Sequence, residues 1–289
     1  MMRYKQIISA AIARGTRQLQ TFQARRPIGM TRISRLLHRL LPAFQGVIRV
    51  EDNILFNIDT GQPAEEELFY VGDRHRALTY LLKQHTPEDG YCLDVGANIG
   101  FYTLKFARWV GPRGRVAAFE PNPAMVKRIN SNIELNHLSN VDLVAKVVHF
   151  EVDKVPFFIS QNSVLSSMKP SEIDLEQIMV DTISIDTYMR DAGWSRLDVI
   201  KLDIEGNDCN ALLGCEATLE RFKPFVVFEY QQDTPEETAR AAFELLEKNG
   251  YDIQGLILRT GRLIALDRQA FWSQGLTHIN VICTPPSGG

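Results

Sequence analysis

The sequence predicts an α/β fold, a doubly wound and mostly parallel sheet with antiparallel edge strands, and three observations carry that prediction. Between Tyr91 and Tyr230, short apolar runs alternate with segments of helical periodicity, the pattern of strand and helix units that assemble a parallel sheet. The stretch Tyr91–Thr103, Y-C-L-D-V-G-A-N-I-G-F-Y-T, packs a strand, an acid and two glycines into one turn; in such a sheet, ligands bind at turns outside the strand carboxyl ends. Beyond Tyr230, Tyr251–Leu258 and Arg262–Leu266 flank Arg259-Thr260-Gly261, and His278–Cys283 adds a last apolar run. These read as a hairpin and a final strand, the antiparallel edge.

The chain has 289 residues, 45% hydrophobic and 23% charged, which suits one core domain with additions. No apolar run reaches the length of a membrane span. Cys92, Cys209, Cys215 and Cys283 are scattered without a C-x-x-C pair, so neither a zinc site nor a disulfide framework is expected, and a reducing compartment is. Charge is uneven. Residues 1–50 hold ten basic side chains and no acidic one, and the other 22 basic residues face all 35 acidic ones. Within Thr31–Leu41, Ile33, Leu36, Leu37 and Leu40 recur at helical spacing among Arg32, Arg35 and Arg39. That pattern suits a basic amphipathic helix resting on an anionic membrane surface, or equally a solvated helix packed on the acidic remainder; an organellar transit peptide ranks behind both. The expected organisation is a basic helical extension over 1–45, a hairpin and helix leading into the core over 46–90, the core domain over 91–284, and a tail over 285–289.

Taken in order, Gly46–Ile58 alternates and breaks at Glu51-Asp52-Asn53, a hairpin. Glu65–His85 reads as one helix on Leu68, Phe69, Leu78, Leu81 and Leu82, closed by Pro87 and Gly90. After the Gly100 helix come a strand at Arg115–Phe119, a helix from Pro123 to Asn136 and a third strand at Val141–Val147. Val155–Ser160 reads as an extra strand, followed by the polar stretch Gln161–Met168, suited to a loop over a pocket. A strand at Ile178–Ile183, a short helix at Ile185–Ala192, a strand at Leu197–Leu202, a helix through Leu213, a strand at Phe225–Phe228 and a helix at Pro235–Asn249 complete the alternation.

The Tyr91–Thr103 turn is a candidate cofactor site. A dinucleotide fingerprint requires G-x-G-x-x-G, but Asn98 and Phe101 stand at its second and third glycines, where their side chains crowd a pyrophosphate. The acid-x-G-x-x-x-G turn of S-adenosylmethionine sites accommodates Asp94, Gly96, Asn98 and Gly100, and tolerates an anion at the strand end because the sulfonium ligand is cationic. A bland strand-to-helix turn is the alternative. Glu120, 20 residues after Gly100 at the end of the second core strand, is placed to accept hydrogen bonds from both ribose hydroxyls. Asn122 joins it as a candidate cofactor contact, with helix N-capping as the competing role.

At this point four segments together resemble the FkbM family of S-adenosylmethionine-dependent methyltransferases: L-D-V-G-A-N-I-G-F-Y-T, A-F-E-P-N-P with a following N-x-x-L-N, V-I-K-L-D-I-E-G, and V-V-F-E. The resemblance implies a Rossmann-like class I methyltransferase fold, S-adenosylmethionine as cofactor, and methylation of hydroxyls on sugars, lipid-linked glycans or polyketides. The chain departs from the family pattern at Asn207-Asp208, where a small or apolar residue and a glutamate are usual, and at Val148-His149-Phe150, near the expected adenine position.

A sugar hydroxyl is a poor nucleophile at neutral pH, so a general base or a divalent metal is expected beside it. Asp203 at the end of the fourth core strand is the candidate to orient or deprotonate that hydroxyl, with Glu205 and Glu229 assisting, Asp208 close by, and Lys201 on the same sheet face. Converging carboxylates also suit Mg²⁺, although no residue is assigned as a metal ligand. A structural ion-pair cluster is the competing reading of Lys201 and these acids. The sequence reading is thus a cytoplasmic O-methyltransferase of a glycan, glycolipid or natural-product acceptor, with no nucleic-acid partner and with residues 1–45 as a peripheral contact to an anionic membrane. A catalytically silent cofactor-binding protein, or a nucleic-acid-directed methyltransferase suggested by the basic start and opposed by the acidic core, are the alternatives.

Overall fold

The computed structural model describes residues 43–73, 75–160, 166–171, 174–258, 261–266 and 278–286. The amphipathic segment Thr31–Leu41 and most of the basic extension lie outside them. The described chain opens with an antiparallel hairpin, β1 (Gln45–Arg49) and β2 (Leu55–Asp59), around a short 3-10 turn at Glu51–Asn53. Alternation along β2 buries Phe56 and Ile58, which join Ile54, Phe69, Leu104 and Met125 in one apolar cluster. The hairpin thereby covers the helices that follow it.

The single helix expected over Glu65–His85 is two, α1 (Pro63–Val71) and α2 (Arg76–His85). Gly72 takes φ 72°, ψ −143°, a conformation that only glycine adopts without strain. The Asp73 carboxylate then accepts from the His75 N–H at 2.9 Å, holding the turn that starts α2.

The central sheet contains β3 (Tyr91–Val95), β4 (Arg115–Phe119), β5 (Val141–Val144), β9 (Val199–Leu202), β10 (Phe225–Gln231), β11 (Asp252–Ile257), β12 (Arg262–Ala265) and β13 (His278–Thr284). Among the described residues its order is β12-β11-β13-β10-β9-β3-β4-β5. The five strands from β10 to β5 are parallel, and β13 pairs antiparallel with both β10 and β11. Between the strands run α3 (Phe101–Val110), α4 (Pro123–Leu135), α5 (Ile185–Asp191), α6 (Asp208–Leu213), α7 (Glu216–Phe222) and α8 (Glu236–Lys248). Helices on both faces explain why β9 is buried at every position. From β3 the chain winds first to β4 and β5, then returns to β9 and β10 on the other side. The carboxyl ends of β3 and β9 therefore flank the point where strand order reverses, the place where such sheets form a crevice.

The third core strand is shorter than expected. It stops at Val144, and Val147–Val148 forms β6 of a second sheet, ordered β6-β8-β7 with β7 (Lys154–Ser160) and β8 (Asp174–Ile183). Lys146 N–H turns back onto the Val144 carbonyl at 2.9 Å, which releases the chain from the main sheet. The β7–β8 pair buries Phe157 and Val180 against Val147. All four cysteines are free and buried.

Candidate active site

The glycine turn after β3 is fixed by backbone hydrogen bonds. Gly96 and Ala97 N–H both donate to the Phe119 carbonyl at 3.0 Å, and Asp203 N–H donates to the Val95 carbonyl at 3.0 Å. Gly96 has φ +79°, and a Cβ there would stand 1.9 Å from the Asp203 carbonyl oxygen. Two strand ends thus meet with no room for a side chain, leaving a floor of bare backbone. Gly100 also has positive φ and is the N-cap of α3, so its freedom serves the entry into the helix.

A cleft of about 530 Å³, including its open mouth, lies over this floor. It is lined by Gly96, Asn98, Glu120 and Lys146 together with Ser166, Ser167, Met168, Asp203, Glu205 and Asn207. Glu120 is buried, and its carboxylate accepts from Asn98 N–H at 2.8 Å and Asn122 N–H at 2.9 Å. Burial pushes its pKa up to about 7, against the pull of those two N–H groups. The Asn98 Oδ1 is buried without a hydrogen-bond partner, a group left for a ligand to satisfy. A carboxylate, an orphaned amide oxygen and a side-chain-free floor fit the adenosine-containing cofactor expected here.

Beneath the floor, Asp94 is fully buried; it accepts from Thr103 Oγ1 at 2.6 Å and pairs with Lys201 Nζ at 3.2 Å. Lys201, itself buried, also lies 3.6 Å from Asp203. Burial opposes the lysine's charge, but Asp94 and Asp203 outweigh it and hold its pKa above the ordinary value. Lys201 therefore stands in a buried ion-pair cluster, the competing reading, and does not line the cleft. Asp203 differs from both partners: its side chain is 45% exposed and faces the cleft.

Glu205 lines the cleft, and Glu229 is not among the lining residues. The buried Gln231 amide joins them, donating to Glu229 at 2.9 Å and to Glu205 at 3.3 Å. Asp208 is buried and accepts from Ile204 and Glu229 N–H groups at 3.3 Å each; burial, then nearby Asp203, raises its pKa well above the usual carboxylate range. The departure from the family pattern thus fills a structural position between two loops. Asn122 likewise turns away from the cleft: its Oδ1 accepts from Ala124 N–H at 3.0 Å and caps α4. Its backbone N–H, holding Glu120, is its contribution to the site.

The sequence reading missed Lys146, Val147 and Asn207 as cleft residues. Asn207 carried a signal, since it stood in the departing segment; its amide donates to the Val148 carbonyl at 3.1 Å and ties β6 to the loop after β9. The polar loop before Met168 was flagged, and its described part, Ser166–Met168, does line the cleft. Among the described residues, no group of three or more His, Cys, Asp or Glu is placed to hold a metal ion. No helix among them is long and apolar enough to cross a membrane.

The parallel core, the antiparallel β13 inserted between β10 and β11, and a cleft at the β3/β9 reversal define the fold of S-adenosylmethionine-dependent methyltransferases. The chain belongs to the FkbM methyltransferase family, matching the family described as "Methyltransferase FkbM domain" over residues 94–253, more than half its length. It is 24% identical over 172 residues to 2-O-methyltransferase NoeI of Sinorhizobium fredii (strain NBRC 101917 / NGR234), covering 54% of this chain and 68% of that one. To Methyltransferase 1 of Beauveria bassiana (strain ARSEF 2860) it is 23% identical over 150 residues, covering 45% of this chain and only 60% of the relative's length. The solved Methyltransferase FkbM from Methylobacillus flagellatus KT aligns with TM-score 0.45 and 18% identity, over 68% of this chain and 44% of that one.

Proposed function

We propose that this chain is an O-methyltransferase that moves a methyl group from S-adenosylmethionine to a hydroxyl of a sugar, glycolipid or related natural-product acceptor. The observation that carries the proposal is the contrast between two neighbouring acids: Asp94 is buried and committed to Thr103 and Lys201, while Asp203 is half exposed to the cleft and only loosely paired. Support for oxygen as the acceptor comes from the relative named a 2-O-methyltransferase.

When bound, S-adenosylmethionine supplies an electrophilic methyl on a cationic sulfur. Glu120 accepts from the ribose hydroxyls, and the Gly96 floor admits the ligand backbone-close. Asp203 accepts a hydrogen bond from the acceptor hydroxyl, orienting its oxygen, and takes the proton as the oxygen attacks. Lys201 keeps that carboxylate in place without entering the cleft. Glu205, held through Gln231, offers a second acceptor for a neighbouring hydroxyl. The basic extension over 1–45 suits an acceptor presented at an anionic lipid surface.

The test is transfer of a ¹³C-labelled methyl to a panel of glycans and glycolipids, read by NMR from the chemical shift of the labelled methyl carbon. Label on an ether carbon supports the proposal. Label on nitrogen, or none across the panel from a protein that binds the cofactor, contradicts it.

A further inference from the structure

The β7–β8 pair has two unlike faces. Inward, Phe157 lines the cleft and packs with Val147 and Val180. Side chains alternate along a strand, so the outer face carries Lys154, Pro156 and Phe158 of β7 opposite Asp181, Met179 and Gln177 of β8, with Leu175 next along β8. Leu175 is 66% exposed and Met179 59%, and Pro156, opposite Met179, is exposed as well. The two charges on this face, Lys154 and Asp181, pair with each other at 3.4 Å. Val152, in the loop that leads into β7, adds another exposed apolar side chain. Clustered exposed apolar surface marks a contact with a protein or a membrane.

The attachment of the basic extension selects the membrane. Along β2, Leu55 N–H donates to Asn136 Oδ1 at 2.8 Å and Asn57 N–H to Asn132 Oδ1 at 2.9 Å, and Glu65, just beyond the hairpin, pairs with Arg128. β2 therefore runs along α4 from its last turn toward its first, and α4 begins at Pro123, just after Glu120 of the cleft. β1 pairs antiparallel with β2, Gln45 opposite Asp59, so β1 begins at that same end. Ile99 of the glycine turn shares the hairpin's apolar cluster. The stretch before β1, with Arg32, Arg35 and Arg39 among Ile33, Leu36, Leu37 and Leu40, is thus joined to the body at the end that carries the cleft. Beyond residue 50 the chain holds 35 acidic and 22 basic residues, so an anionic surface repels the body and attracts this end.

We propose that the cleft end of this chain docks on an anionic bilayer, with Leu175 and Met179 of the β7–β8 outer face in the lipid interface and residues 31–41 on the headgroups. The two contacts do different work: the apolar face supplies area to bury, and the basic stretch supplies attraction to anionic lipid. Because the inner face of the same strand pair walls the cleft, docking brings the cleft to acceptors carried on lipid. That consequence rests on the methyltransferase reading above, and it narrows the acceptor to a glycolipid.

The experiment is co-sedimentation of the full chain with vesicles of phosphatidylcholine alone and of phosphatidylcholine mixed equally with phosphatidylglycerol, alongside calorimetric titration with S-adenosylhomocysteine. The proposal expects binding to the mixed vesicles over the neutral ones. It expects a loss of at least about tenfold both in Leu175→Ser/Met179→Ser and in Arg32→Glu/Arg35→Glu/Arg39→Glu, with S-adenosylhomocysteine affinity unchanged in each. Vesicle binding that survives the β8 double variant overturns it. So does a wild type that binds S-adenosylhomocysteine but no vesicle, or one that instead pairs into a dimer through this face. A wild type that sediments with mixed vesicles but does not bind S-adenosylhomocysteine supports the docking and sinks the methyltransferase reading, and the glycolipid acceptor with it. Should the double variant not fold, Met179→Cys carrying a bimane label decides, since the four native cysteines are buried. A blue shift on mixed vesicles supports the proposal, and an unchanged spectrum overturns it.

Discussion

On the Glu120 side, the cleft is walled by backbone and buried side chains: Gly96 packed on the Asp203 carbonyl, and Glu120 pinned by two N–H groups. A second wall, Ser166–Met168, is held by a backbone bridge between Ser167 and Phe158 and, at its outer end, by exposed polar contacts. Ser167 Oγ accepts from Lys169 N–H at 3.2 Å, and Lys169 Nζ reaches Asp233, beyond β10, at 2.7 Å with both side chains substantially exposed. A buried wall tolerates little variation because any change leaves a void, a clash or an unpaired group. An exposed ion pair can change its partners at small cost. On the function proposed above, the cofactor would lie against the first wall and the acceptor against the second.

The predictions sharpen this division. Asp203→Asn, at the seam between the walls, should lower kcat by about 10² to 10⁴-fold while S-adenosylhomocysteine affinity, measured by calorimetry, stays close to wild type. Lys201→Met, under the cofactor wall, should destabilise the chain by about 3–5 kcal/mol in urea unfolding, because Asp94 is left buried without its cation. An unchanged midpoint would show that this wall does not depend on the pair.

Glu120 gives a pH signature. Its folded pKa, about 7, lies above the ordinary 4.5, so the folded chain binds the extra proton between those values. Its stabilising contribution is present below about 4.5 and is lost as pH rises through about 7. Ligand binding should run the other way, because the ionised carboxylate is the better acceptor for ribose hydroxyls. Affinity for S-adenosylhomocysteine should rise about tenfold from pH 6 to 8, and Glu120→Gln should flatten that profile. The smallest effect belongs to the exposed wall. Lys169→Ala should cost under about 1 kcal/mol of stability and raise acceptor KM several-fold without changing cofactor affinity.

The same contrast governs how far the site could be read from the chain. Asp94, Gly96 and Glu120 lie in short segments whose conformation is set locally, by strand ends and glycine turns, so their roles in the architecture were legible. The second wall is assembled by residues apart in sequence: Ser167 bridges to Phe158, and Lys169 meets Asp233 across 64 positions. No local periodicity encodes that meeting. The break at Gly72 was hidden because the apolar residues on each side of it, Leu68 and Phe69 before and Leu78, Leu81 and Leu82 after, each suit a helix. Lys201 and Asp203 alternate along one strand, and their pattern does not reveal that Asp94 captures the lysine. Asp208 likewise looked like a site acid, but its burial comes from packing between β9 and β10.

The most direct test is calorimetric titration of the wild type and of Gly96→Val with S-adenosylhomocysteine and NAD⁺. The account predicts binding of S-adenosylhomocysteine but not of NAD⁺ by the wild type, and loss of that binding in the variant, whose side chain would occupy the space of the Asp203 carbonyl. A folded wild type that binds neither ligand, or that prefers NAD⁺, would contradict it.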